Sequence, residues 1–350
     1  MKRLIIILSL ILLVISMVSA TEINRVGSTA VSFLEIGMGS APSAMGEAYV
    51  AMSGDLSSVY WNPAGIAYVP RSGFTMMYHP WMVDINTVFA SGAIVLPTAG
   101  TIAVSVTQVG YGEMRVTNLA SQDGTGEYFT ASEFAVGLSY ARKIANWFSF
   151  GATAKMINSQ IWHESASAFA MDVGVIVKTQ FFAPGQQKGK GLDIGMSISN
   201  YGSRMQYDGI DLIQPIDISL DETGNYGDVI GQFRTGEWEL PLIFRIGLAI
   251  SPIQSSYQTL TLAVDALHPN NNAESVNIGG QYAMKVSNKG KFFLRGGYKA
   301  LFLEESLFGL TAGGGVELFM MGNRSIKVDY AFKEAGMFGR THAYTLGLTF

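Results

Sequence analysis

A transmembrane β-barrel of about 14 antiparallel strands, with an N-terminal hatch inside its lumen, is the fold class this sequence predicts. Three observations carry the expectation. After Gly73, large apolar side chains alternate with small or polar ones over one segment after another. The charges of those segments fall on the row opposite the large apolar residues. And although 48% of the 350 residues are hydrophobic and only 14% are charged, nothing after residue 20 offers the roughly 18 uncharged apolar residues of a spanning helix.

The N-terminus reads as an export signal. Lys2 and Arg3 form a positive start, Leu4 to Val18 an apolar stretch, and Val18-Ser19-Ala20 a small-residue site, so residues 1–20 are expected to be removed near Ala20. The absence of cysteine excludes a lipoprotein beginning at Thr21, disulfides and thiolate metal sites. So much apolar material excludes disorder. A net charge of -4 leaves no electrostatic case for nucleic acid. An exported apolar chain without spanning helices is expected in the cell outer membrane of a Gram-negative-type bacterium, with outer-membrane lipid and the barrel-assembly machinery as partners.

Residues 21–72 do not alternate and are too many for a connecting loop. They are rich in small residues, with a helical stretch expected around 44–52 and a turn at Asn62-Pro63-Ala64-Gly65. Asn bonds local backbone, Pro fixes φ and Gly permits close approach. The economical placement is a hatch in the lumen, with Asp55 and Glu47 available to pair with lumen bases.

Residues 73–350 supply the barrel. Strands are expected near 73–79, 86–97, 100–109, 132–142, 147–157, 167–179, 190–200, 241–251, 258–267, 274–286, 291–300, 308–320, 324–333 and 341–350. Alternation is clean at Phe134, Val136, Leu138, Tyr140 and at Ile326, Val328, Tyr330, Phe332. Lys155, Lys178, Arg245, Lys285, Arg295, Lys299 and Lys327 share the opposite row with Asp172, Asp193, Asp265, Glu317 and Asp329. That row alone fits a half-exposed soluble sheet as well as a lumen. The export signal and the closing strand favour the lumen over a soluble propeller or sandwich: Tyr344, Leu346, Leu348 and Phe350 share one face of the final octet. Short turns at 98–99, 143–146 and 321–323 alternate with long outer loops near 110–131 and 201–240. The connection near 180–189 is longer than a periplasmic turn should be.

No catalytic chemistry emerges. His79, His163, His268 and His342 are scattered, which suits interfacial or loop positions and not a zinc site. Neither Gly124-Thr125-Gly126 nor Gly313-Gly314-Gly315 continues as a phosphate loop, and no Gly-x-Ser-x-Gly elbow occurs. The expectation is a non-enzymatic protein without cofactor or metal. Trp81, Trp147, Trp162 and Trp238 are expected in an aromatic girdle. Mixed lumen charges argue against a strongly ion-selective pore.

Asn62-Pro63-Ala64-Gly65 after a Gly/Ala-rich run resembles the hatch of the FadL-like outer-membrane barrels. The stretch Tyr78 to Asn86, with Pro80, Trp81, Asp84, Ile85 and Asn86, resembles the PorV/PorQ family more narrowly. So do Gly124-Thr125-Gly126-Glu127, Gly137 to Arg142, Asp172-Val173-Gly174 and Ser197 to Gly202. The resemblance implies a 14-stranded barrel with an internal hatch that handles or passes exported substrate in a type IX secretion-like role. Secretion-system components or secreted cargo would then be its partners. The alternatives it implies are a FadL-like passive channel for long-chain fatty acids or another apolar small-molecule ligand, and a structural barrel without transport.

Overall fold

The computed structural model describes residues 25–183, 191–218, 221, 229–286, 289–304 and 306–350. The export signal, its cleavage site and most of the 180–189 connection lie outside the described residues. Among the described residues no helix is long and apolar enough to cross a membrane.

Among the described residues seventeen strands follow one another: β1 (Gly73–Pro80), β2 (Asn86–Leu96), β3 (Gly100–Arg115), β4 (Tyr128–Ala145), β5 (Phe148–Ile161), β6 (Glu164–Lys178), β7 (Asp193–Gly202), β8 (Asp208–Gly209), β9 (Ile213–Ile216), β10 (Val229–Gln232), β11 (Ile243–Gln254), β12 (Gln258–Pro269), β13 (Ser275–Val286), β14 (Gly290–Leu301), β15 (Leu310–Phe319), β16 (Ser325–Glu334) and β17 (Arg340–Thr349). Fourteen of them, β1–β7 and β11–β17, close into one antiparallel ring. The three short ones belong to the outer segment 203–242. There β9 and β10 pair with each other and β8 pairs with β6.

Period-two burial runs round the wall. In β4 the outward Phe134, Val136, Leu138 and Tyr140 are exposed, whereas the inward Ala135, Ser139 and Ala141 are buried. A purely apolar exposed face is costly in water and favourable against lipid. The expected lumen charges do face inward, several of them paired: Lys155 Nζ lies 2.6 Å from Asp172 Oδ2, and Arg295 Nη1 lies 2.7 Å from Asp329 Oδ1. Arg in place of outward Val136 or Val328 should therefore cost about 2–4 kcal/mol at mid-depth. The check is urea unfolding in vesicles. Arg at inward Gly137 should cost less, since it faces the polar row of Ser105, Thr153 and Lys155 and not lipid; equal losses on both rows would contradict the orientation.

The ring is closed by the last strand. β17 pairs with β16 on one side and β1 on the other, and the Phe350 amide donates to the Ser72 carbonyl at 2.9 Å. Tyr344, Leu346, Leu348 and Phe350 are exposed on its outer face.

Two expectations about the strands need correction. The loop read near 110–131 is only 116–127, because β3 and β4 pair on to Arg115 and Tyr128 past a bulge between Gly110 and Glu113. Above the membrane both faces of this hairpin meet water, so alternation stops although pairing continues. His79, expected at an interface or in a loop, is buried on the inward row of β1.

Candidate functional site

The functional centre is built from the hatch upward. Residues 32–35 and 63–68 form 3-10 turns, and 40–44 and 58–61 form short helices; the helical stretch expected around 44–52 instead ends at Ala44, because Gly46 and Glu47 take positive φ. None exceeds six residues, too short to hold without tertiary support. The barrel provides it. Hydrogen bonds or ion pairs join the hatch to β1, β5, β6, β7, β12, β14, β15, β16 and β17.

Asn62 is the turn's anchor and is fully buried. Its Oδ1 accepts from the Ala64 amide at 3.1 Å, capping the turn that Pro63 begins. Its Nδ2 donates to the carbonyls of Val50 at 2.8 Å and Val175 at 3.0 Å. One side chain thus ties two hatch segments to β6. Ala64 and Gly65 are buried beside it, and a methyl group on Gly65 would lie 2.7 Å from Ser58 Cβ. Asn62→Ala leaves buried carbonyls with fewer donors and should destabilise by about 1–3 kcal/mol, read as earlier hatch cleavage in limited proteolysis with the barrel intact. Unchanged cleavage would mean that this anchor does not hold the hatch.

Glu47 and Asp55 carry the hatch's charge contacts. Glu47 Oε1 lies 2.8 Å from Lys333 Nζ, and its Oε2 lies 2.8 Å from Lys299 Nζ. Burial alone would raise its carboxyl; Lys299 and then Lys333 bring it down to about 2. Glu47 has φ 66°, a left-handed conformation that costs a side-chain residue about 1–2 kcal/mol. The ion triad holds it there. Asp55 Oδ2 meets Lys327 Nζ at 2.6 Å, and Lys327 and the Ser57 amide hold its carboxyl below the usual range against the opposing effect of burial. On β12, Asp265 Oδ2 accepts from the Tyr49 and Val50 amides at 2.6 and 2.9 Å.

Close approach is secured by glycine. Gly151, Gly174, Gly195, Gly279, Gly297 and Gly313, on β5, β6, β7, β13, β14 and β15, face the lumen where the hatch touches the wall, by its backbone at Gly151, Gly195, Gly279 and Gly297 and by the side chains of Asn62 and Ala44 at Gly174 and Gly313. A methyl group on any of them would overlap hatch or strand atoms.

Above the hatch lies a cavity of about 440 Å³, bordered by Phe33, Trp61, Trp81, Met82, Ile85 and Phe308, with Lys299 and Arg245 among its few charges. Its size and mostly apolar walls suit a small ligand or an inserted side chain. Arg245 packs against the Trp61 ring, 5.6 Å from its centroid, and donates to Ser199 Oγ at 2.8 Å.

The 80–86 motif shapes the cavity's rim. Pro80 ends β1. Trp81, expected in the girdle, turns inward instead: its ring lies 4.5 Å from Lys333 Nζ and 6.0 Å from Phe308. Asp84 takes φ 60° in the turn, Ile85 lines the cavity, and Asn86 Oδ1 accepts from the Tyr78 hydroxyl at 3.0 Å. Trp147, Trp162 and Trp238 are exposed. The reading of the sequence missed Lys333 as a lumen base, although it continues the row of Lys327, Asp329 and Ala331.

A family model described as type IX secretion system protein PorV matches residues 19–230. No curated protein sequence matches this chain significantly. Among solved structures, the Pseudomonas putida toluene transporter TodX is similar at 11% identity and a TM-score of 0.56, over 89% of this chain and 96% of that one. A Pseudomonas aeruginosa FadL homologue is similar at 11% identity and a TM-score of 0.50, over 89% and 98%. The Ralstonia pickettii toluene transporter TbuX is similar at 9% identity and a TM-score of 0.53, over 89% and 97%. At such identities the likeness concerns the fold: a closed outer-membrane barrel with FadL-like architecture.

Proposed function

The chain belongs to the PorV family, and from that premise we propose that it is a plugged, non-enzymatic receiver for exported protein at the outer membrane. It would reach that membrane through the barrel-assembly machinery after cleavage near Ala20. The observation that carries the reading is the hatch, bonded to strands all round the wall. A hatch held this way obstructs the lumen for a polypeptide. Handling of exported substrate then falls to the outer face, where the segment 203–242 and the cavity are available. The test is affinity purification from outer membranes with mass spectrometry of proteins and lipids. Recovery of the same exported protein by the intact chain, and its loss when 203–242 is replaced by a short turn, is the expected result. Recovery that ignores the shortened segment would sink the reading.

The cavity favours a second reading, a FadL-like passage for an apolar small molecule. Native mass spectrometry of the purified protein should then show a bound apolar species that Ala273→Phe, at the cavity wall, displaces.

A further inference from the structure

The two ends of the barrel carry opposite charge. On the outer side the stretch from Gln206 to Gln232 holds six acidic residues and no Lys or Arg. On the side of the short turns the sign reverses, most densely where β13 turns into β14 and β15 into β16. Lys285, Lys289 and Lys291 belong to the first of these hairpins, Arg324 stands in the second turn, and Arg71 precedes β1. The Phe319 amide donates to the Lys289 carbonyl at 2.9 Å, and Arg71 Nη1 donates to the Asn323 carbonyl. The bases therefore share one sector of the rim.

Within the lumen, charge is matched: Lys327 Nζ lies 2.6 Å from Asp55 Oδ2 and 3.2 Å from Asp329 Oδ2. At the rim it is not. Lys291 Nζ lies 3.7 Å from Glu317 Oε2, whose other oxygen accepts from Ser325 Oγ at 2.9 Å. Lys285 stands directly across from Lys291, a like-charge pairing that destabilises a sheet and that an added anion would relieve. Among the described residues Lys285, Lys289 and Arg324 make no ion pair. The level of the sector says which anion can reach it. Val286, Phe292 and Leu318 end the lipid-facing rows here, and Met320 and Met321 follow at 50% and 96% exposure. Lys289 and Arg324 are exposed in the turns just beyond, two or three residues or about 7–10 Å further along the strand direction. One headgroup layer is about 5–8 Å deep. Apolar tips beside bases suit the boundary between acyl chains and anionic headgroups better than an acidic protein in water.

We propose that this sector binds the phosphodiester headgroup of an anionic glycerophospholipid in the periplasmic leaflet. Each base at such a surface strengthens binding about fivefold. The test is native mass spectrometry of the full chain released from nanodiscs of phosphatidylglycerol and phosphatidylcholine, mixed equally and with the same acyl chains. The parent should retain phosphatidylglycerol in preference, and Lys289→Gln with Arg324→Gln should weaken that retention about 25-fold. Heat-modifiable mobility should show the variant assembled. Lys289→Arg with Arg324→Lys keeps the charge and should keep the preference, and Arg115→Gln at the outer end of β3 should leave it unaltered. Added salt should narrow the preference in the parent itself. Equal retention of the two lipids by the parent, or a preference indifferent to salt, overturns the proposal. Displacement of the lipid by an equal concentration of glycerol phosphate would assign the sector to a soluble phosphate and overturn it as well. A preference that survives the double Gln variant overturns it too, and an acidic periplasmic protein lost from that variant in a pull-down would then give the sector to a protein.

Discussion

Valine in place of Gly279 or Gly297 is expected to expel the hatch or block assembly, while valine at Gly280 or Gly296, one residue along, is tolerated. The inward members of each pair touch hatch backbone: a side chain on Gly279 would overlap the Met45 carbonyl, and one on Gly297 the Gly46 amide. Backbone on both sides of the contact cannot swing away, so the cost should reach or pass the top of the usual overpacking range, about 3 kcal/mol. The outward members have room. The nearest atoms to a new methyl group would be 3.4 Å away at Gly280 and 3.8 Å at Gly296, both on the lipid face, where valine favours the strand. Heat-modifiable gel mobility and single-channel conductance separate the outcomes. An inward variant that assembles and conducts like the parent would mean that the hatch does not sit against these strands.

The second large effect is expected at Glu47. Glu47→Gln leaves Lys299 and Lys333 facing each other in a buried site without their shared carboxylate, which should cost about 3–5 kcal/mol at neutral pH. Its pH dependence follows from the shift. The carboxyl sits at about 2 in the folded protein against an ordinary 4.5, so the folded state binds its proton less readily than the unfolded chain does. Its contribution is complete above about pH 4.5 and is lost as pH falls toward 2. The gap between the parent and Glu47→Gln should therefore close over that interval. Urea unfolding in vesicles across the acidic range is the measurement. A gap that stays constant below pH 4 would show that the stabilisation does not come from the ionised carboxylate.

The wall was legible because strand period and lipid contact impose the same two-row rule wherever the chain crosses. All fourteen barrel strands could be placed from rows such as Phe134 to Tyr140, and the lumen charges from their opposition to those rows. Where the rule has no physical basis, reading by eye lost its grip. The upper parts of β3 and β4, Glu113 opposite Thr130 among them, stand in water on both faces and carry no row to read. Trp81 follows Pro80 at a strand end, where no periodicity tells inward from outward. Lys333 was within reach, since it keeps the inward parity of its strand. The hatch motif could be singled out by its turn chemistry, but the carbonyl of Val175 and the amides over Asp265 are contacts that only the folded chain brings together.

The seam between the first and last strands bears on what keeps the barrel shut. At Ser40 the backbone amide and hydroxyl meet Thr345 Oγ1 at 3.0 and 2.7 Å, while next door the Gly39 amide donates to Met77 Sδ at 2.9 Å. The hatch therefore grips both lips of the joint, β17 through Thr345 and β1 through Met77. A cylinder closed around an empty lumen would lack these staples. The joint that closes the ring is thus also where the hatch is fastened, and a chain without Gly39 and Ser40 would leave both lips untied.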